Sequence, residues 1–344
     1  VARVFVTGGS GFVGGALVDA LRERGDAVVA LARSDAAAAA LRARGAEIAR
    51  GDILDEDAVA AGMAGSDVVF HVAGINTMCP SDPAALLHAN VRGAESVVRA
   101  AGRAGVGRVV HTSSAAALGE VEGTVGREDS PHRGAYLSVY ERSKHEGEIA
   151  AFAAARRAGV ELVSVNPSSV QGPGRSGGTG KILIAYLNGK LKAFIDTRLS
   201  LVDIRDCTAG HLLAAERGKP GERYVLNGVT LTSLDALEII AELTGIDDRP
   251  RILPAPVAAG AAAVAEAGFR LARRTPPVCR EMVRTMLHGH RYDGSRATRE
   301  LGLEYAPIRD TLARTVEWAL AAGLVTRPLP RWMGRESAGA ATGT

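Results

Sequence analysis

Short runs of β-branched and small apolar residues alternate, over the first half of the chain, with longer segments in which Ala and Leu recur at helical spacing. The runs at 1–7, 26–32, 47–49, 67–73, 108–113 and 161–166 predict six strands. The segments at 14–24, 36–44, 56–63, 83–104 and 136–158 predict the helices between them. Strand–helix alternation of this length calls for crossover connections, and so for a parallel sheet covered on both faces. The predicted fold class is α/β, a doubly wound parallel sheet of the Rossmann type. After Asn166 the rhythm breaks. A Gly-rich segment fills 171–181, a helix (205–217) and a strand (223–227) are placed to rejoin the main sheet, and 234–243 resumes a helical pattern. The expected organisation is a dinucleotide-binding domain from 1–169 plus about 203–228. A smaller, discontinuous substrate lobe takes 170–202 plus 229–325, and a Pro-, Arg- and Gly-rich mobile tail runs from 326 to 344.

With 344 residues and 47% hydrophobic content, the chain can bury a full core. Its 41 basic and 38 acidic residues are intermixed, for a net charge of +3, so no nucleic-acid or anionic-membrane partner is implied and a small-molecule substrate is expected. Cys79, Cys207 and Cys279 are odd in number and far apart, which predicts no disulfide framework and a reducing, cytoplasmic location. The chain passes at once into a strand-like run, so no export signal is expected. The weakly polar stretch 256–272 is interrupted by Glu266 and Arg270 and reads as a packed helix, not a membrane span.

Thr7-Gly8-Gly9-Ser10-Gly11-Phe12-Val13-Gly14 follows the first strand and opens the first helix, where a dinucleotide pyrophosphate sits on a helix amino terminus. No Gly-Lys-Ser/Thr follows, which argues against a kinase or ATPase. At the end of the second strand Ala32 stands where an acid would bond both ribose hydroxyls, and Arg33 comes next. That pair favours NADP(H), with NAD(H) as the alternative. Asp52 is positioned to accept from the adenine amino group and Ile53 to pack on the ring. Ala73 and Gly74 are small enough for close approach of the cofactor, and His71 reads as a satisfied core histidine.

Ser113-Ser114 ends the fifth strand, at the carboxyl edge where such sheets place their ligands. Tyr140 and Lys144, four residues apart, project from one helix face. By itself that spacing means no more than a half-buried tyrosine beside a solvated lysine. Downstream of a cofactor loop and a strand-end serine it becomes a proton donor with a cation that favours its phenolate. No Gly-x-Ser-x-Gly elbow is present, so a serine nucleophile is not expected.

Together these residues resemble the extended short-chain dehydrogenase/reductase family, over roughly 1–324. The resemblance also rests on Asp52-Ile53, His71-Val72-Ala73-Gly74, Asn90, Thr112-Ser113-Ser114, Asn166-Pro167-Ser168-Ser169-Val170 and Leu201 to Asp206. Tyr292 to Ala297 followed by Glu300-Leu301-Gly302 resembles the carboxyl-terminal signature of its dihydroflavonol reductase-like and 3-beta-hydroxysteroid dehydrogenase-like branch. The resemblance implies that Tyr140 is the acid/base. It implies that Lys144 binds the nicotinamide ribose and lowers the tyrosine pKa, and that Ser114 holds the reacting oxygen, with Ser113 as fallback. Pro167, Ser168, Ser169 and Val170 would lie near the nicotinamide.

Ser114-Ala115-Ala116 lacks the Asp-Glu pair of the family's dehydratases, and Asn166-Pro167 with Gln171-Gly172-Pro173-Gly174 departs from the pattern of its sugar-nucleotide epimerases. The expected function is therefore NADPH-dependent reduction of a ketone or aldehyde on a small apolar substrate. An NAD(P)-dependent sugar or sugar-nucleotide epimerase and a non-enzymatic NADP-sensing protein are the alternatives. The Ala-, Val- and Leu-rich 253–271 segment would line the substrate site or simply pack. The family resemblance leaves open a homodimer through 83–104 and 136–158, and the sequence does not fix the assembly. His288-Gly289-His290 lacks further ligands in the sequence, and no metal is assigned.

Overall fold

The computed structural model describes residues 1–332. Strands β1 (Arg3–Thr7), β2 (Ala27–Ala32), β3 (Glu47–Arg50), β4 (Val68–His71), β5 (Arg108–Thr112) and β6 (Glu161–Pro167) form at the predicted places. Between them lie α1 (Phe12–Glu23), α2 (Asp35–Ala43), α3 (Glu56–Gly62), α4 (Pro83–Arg103) and α5 (Val139–Ala158). Apolar side chains cover both faces of the sheet. Val4 and Val6 enter one core cluster and Phe5 the other; Val28 and Ala30 divide from Val29 and Leu31 in the same way. That double burial is why these strands read as continuous apolar runs and not as alternating ones.

Ser138 accepts the Glu141 N–H at 3.2 Å and caps α5, so the helix starts at Val139 and not at the predicted Tyr136. Beyond β6 come β7 (Ser169–Gln171), α6 (Thr179–Leu187), β8 (Ala193–Phe194), β9 (Arg198–Asp203), α7 (Ile204–Arg217) and β10 (Arg223–Leu226). The main sheet is seven-stranded in the order β10-β6-β5-β4-β1-β2-β3, parallel throughout. Its order reverses between β1 and β4, which is the switch point where doubly wound sheets bind ligands. At the outer edge, the Val225 N–H of β10 donates to Glu128 Oε1 at 2.9 Å.

The second lobe adds β11 (Val229–Thr232), α8 (Ser233–Thr244), β12 (Arg251–Ile252), α9 (Ala255–Leu271), α10 (Arg280–His288) and α11 (Ile308–Ala321). A three-stranded sheet, β11-β9-β7, ties it to the first, and the boundaries expected at 169/170 and 202/203 cut through β7 and β9 instead of falling between elements. Leu183, Leu187, Ile240, Leu243, Leu312 and Val316 form its core.

Two expectations are corrected here. Cys79 and Cys279, 200 residues apart, are joined by a disulfide; only Cys207 is free, and it is buried. The fold brings together sulfurs that spacing had set apart, and the reducing, cytoplasmic expectation loses that support. Residues 326–332, expected to be mobile, are held: Thr326 donates to Asn188 Oδ1 at 2.8 Å, Arg331 N–H to the Thr244 carbonyl at 3.0 Å, and Leu329 and Trp332 pack on the lobe core. The rest of the expected tail, 333–344, lies outside the described residues. Among the described residues no helix is long and apolar enough to cross a membrane.

Candidate active site

The loop after β1 is shaped by contact with β4. Gly8 has φ +72°, and a Cβ on it would lie 2.5 Å from the Ala73 nitrogen; one on Gly14 would lie 2.2 Å from the Gly8 carbonyl oxygen. Gly11 caps α1 without a side chain, which leaves the first-turn N–H groups of the helix facing the crevice. Thr7 Oγ1 bonds His71 Nδ1 at 2.7 Å and accepts the Ala73 N–H at 3.2 Å, locking the ends of β1 and β4 together. Burial, with Lys144 beside it, pushes the His71 imidazole down to about 3, so it is a neutral core residue, as its sequence position suggested. This cradle fits a pyrophosphate: Gly8 and Gly14 are packed against backbone, and the uncapped start of α1 presents its N–H groups.

Tyr140, in the first turn of α5, comes within hydrogen-bonding reach of Ser114, just beyond the end of β5. Burial raises the phenol pKa, and the groups opposing that rise are Ser114 and Arg175. Lys144, expected to lower it, is not among those groups. The Lys144 ammonium turns to the Thr112 carbonyl at 3.3 Å, and burial pushes it down to about 8 against the pull of Glu148. Gly74 is packed close by, since a Cβ there would lie 3.3 Å from Lys144 Nζ and from Asn90 Oδ1. Ser113, the fallback, has its hydroxyl buried and unpartnered.

Several contributors escaped the sequence reading. Arg175, from the Gly-rich segment, sits over the Phe12 ring, 5.4 Å from its centroid, and faces Tyr140. Behind the serine, Asn166 Nδ2 donates to the Ser114 carbonyl at 3.1 Å and to Glu148 Oε2 at 2.6 Å. Ser164 donates to the same carboxylate at 2.9 Å. Glu148 is one helical turn beyond Lys144, so the i, i+4, i+8 series Tyr140, Lys144, Glu148 was the available signal. For Arg175 a flexible Gly-rich loop offers no periodicity to read.

The adenosine side is less enclosed. Arg33 is 83% exposed and pairs loosely with Asp52 at 3.4 Å, while Asp52 Oδ1 accepts the Leu54 N–H at 3.0 Å. Ile53 packs against α4 at Gly93. Pro167 closes β6, Ser168 N–H donates to the Leu226 carbonyl at 2.9 Å, and Ser169 and Val170 begin β7, so this turn spans the gap between the two sheets. A cavity of about 740 Å³ does not include Tyr140 or Ser114 in its wall. It lies between α5, α10 and the segment before α4, lined by Met78, Leu137, Val139 and Leu287 among others.

Comparison with known proteins places this geometry. Residues 4–226 match the family model described as "NAD dependent epimerase/dehydratase family". The chain is 35% identical over 323 residues to a putative dihydroflavonol 4-reductase of Synechocystis sp., covering 91% of this chain and 93% of that one. It is 34% identical over 328 residues to sterol demethylase protein B of Methylococcus capsulatus, covering 93% and 99%. The crystal structure of gox2253 superposes with a TM-score of 0.81 at 30% identity, covering 94% of this chain and all of that one. The matched family model spans the glycine loop, Ser114, Tyr140 and Lys144, and the chain belongs to the NAD-dependent epimerase/dehydratase family, within the extended short-chain dehydrogenases/reductases.

Proposed function

We propose that this protein is an NADPH-dependent reductase that converts a ketone or aldehyde on a small, apolar molecule to the alcohol. The observation that carries the reading is the contact of Tyr140 with Ser114, with Lys144 one helical turn away, at the carboxyl end of a sheet whose glycine loop suits a dinucleotide. Bound NADPH would supply the hydride. Residues Thr7 to Gly14 hold its diphosphate, Arg33 its 2′-phosphate, Lys144 its nicotinamide ribose, and Pro167 to Val170 flank the nicotinamide. Asp52 and Ile53 meet the adenine, and Ala73 and Gly74 leave room for it to pass the end of β4.

Ser114 and Tyr140 donate to the substrate oxygen, aimed hydrogen bonds that gain strength away from water. As that oxygen gains negative charge, Tyr140 passes its proton to it. Arg175 then steadies the phenolate, and Asn166 keeps the Ser114 backbone in place. An apolar substrate is supported by the likeness to sterol demethylase protein B of Methylococcus capsulatus.

Replacing Tyr140 by Phe tests this. Turnover of apolar ketones with NADPH should fall by about 10²- to 10⁴-fold, while NADPH binding measured by fluorescence stays within about twofold. Turnover that survives removes Tyr140 as the proton donor. The family description gives the epimerase reading its standing, and the experiment separates the two. An epimerase would purify with tightly held NAD and need no added reductant.

A further inference from the structure

Six residues after Ser114, the chain leaves a short 3-10 turn (Ala115–Leu118) and places Glu120 in the interior, 2% exposed. The fold brings His288 and His290 to it from the end of α10. Glu120 Oε1 is 3.5 Å from His288 Nε2 and 2.5 Å from His290 Nδ1, and the three donor atoms lie within 4.8 Å of one another. The two imidazoles are 5.0 Å apart across Gly289, and the His288 and His290 side chains are 6% and 18% exposed. What sets this group apart from an ordinary carboxylate–histidine contact is what is left unpaired. Glu120 Oε2 and His290 Nε2 are both buried without a hydrogen-bond partner, an arrangement that costs stability unless something answers it.

We propose that Glu120, His288 and His290 form a binding site for one divalent transition-metal ion of the zinc type. Two imidazole nitrogens and one carboxylate oxygen are a donor set zinc accepts, and three protein ligands leave a coordination position open. His288 also lines the 740 Å³ cavity, a space large enough for water or a small ligand beside the site. The Arg133 guanidinium is engaged elsewhere: it pairs with Glu141 and donates to the Glu120 backbone carbonyl at 3.1 Å. Tyr292, whose hydroxyl bonds His290 Nδ1 at 2.9 Å, would orient that ring. The sequence shows only two histidines one residue apart. The third ligand is 170 positions away from His290 and invisible until the chain folds.

The bound ion would staple two parts of the chain. The segment carrying Glu120 is already pinned to the lobe by a bridge between Gly126 and Tyr292, with the Gly126 N–H donating to the Arg291 carbonyl at 2.9 Å. Metal here would fix the loop beyond Ser114 against the end of α10.

The test uses the untagged full chain, stripped with a chelator and desalted, then titrated with Co(II) by visible absorption and with Zn(II) by calorimetry. The expected result is one ion per chain, an intense low-symmetry Co(II) spectrum that Zn(II) abolishes, and affinity weakened at least about tenfold in both Glu120→Gln and His288→Ala. Added Zn(II) should also raise the melting temperature of the wild type and not that of His288→Ala, which keeps the question open to measurement should Glu120→Gln fail to fold. A wild-type chain without saturable Co(II) absorption, or a His288→Ala variant that binds as tightly as it does, overturns the proposal.

Discussion

Lys144 is a lysine whose burial has a measurable consequence. Its pKa is pushed down to about 8 from an ordinary 10.5, so in the folded chain it loses its charge through that value while an unfolded chain keeps the proton until about 10.5. Below about pH 8 both states are protonated. Between the two values the unfolded state holds more protons, so the cost of burying the ammonium is relieved as pH rises and the Lys144 contribution to stability increases. Cofactor binding should run the other way, because the charged form is the one suited to the ribose. NADPH affinity is expected to fall as pH climbs through about 8, and in Lys144→Met to be weaker but flat over that window; a wild-type affinity that is flat there would sever Lys144 from the cofactor. Arg33 gives a second residue-scale test. Its loose pairing with Asp52 leaves it available to a 2′-phosphate. Charge-assisted contacts are worth about 1.5 to 3 kcal/mol. Arg33→Ala should therefore weaken NADPH on the order of 10- to 100-fold and leave NADH nearly unchanged, as titration by quenching would show; equal losses for both cofactors would refute the assignment.

At the scale of elements, the Cys79–Cys279 disulfide joins the segment leading into α4 to the amino-terminal cap of α10 and borders the large cavity. Cross-links over long loops typically stabilise by about 2 to 4 kcal/mol. Reduction, or Cys79→Ser, should lower the melting temperature by several degrees in calorimetry, and an unchanged midpoint would mean the bond adds nothing. Elements differ in how openly the sequence announces them, for physical reasons. Strands β1, β2 and β4 to β6 were legible because each buries apolar side chains on both faces, and β3 through Ile48 and Ala49 alone. The start of α1 was legible because the glycines there answer to backbone contact with Ala73 and Gly8. The Tyr140–Lys144 pair was legible because helix geometry puts i and i+4 side by side. The disulfide, the Glu120–His288–His290 group and the placing of Arg175 were not, because each joins residues whose separation carries no period. The start of α5 was misplaced by three residues because the capping role of Ser138 outweighed the apolar pattern that begins at Tyr136.

For the molecule as a whole, the sheet that carries the site ends in two edge strands, β3 and β10. Edge strands offer a row of backbone donors and acceptors to any passing chain. At one side β3 carries Glu47 and Arg50, both exposed. At the other, β10 spends the Val225 N–H on Glu128, a side chain whose own pKa burial has raised. Glu128 thus acts as a plug, occupying a backbone donor that a foreign strand would otherwise take. Glu128→Ala should leave folding and cofactor binding near normal but make the protein self-associate, seen as concentration-dependent light scattering on gentle warming. A variant that stays as monodisperse as the wild type would show that the edge is guarded by other means. If the plug holds, one carboxylate far from the reaction determines how long the protein can be kept concentrated in solution.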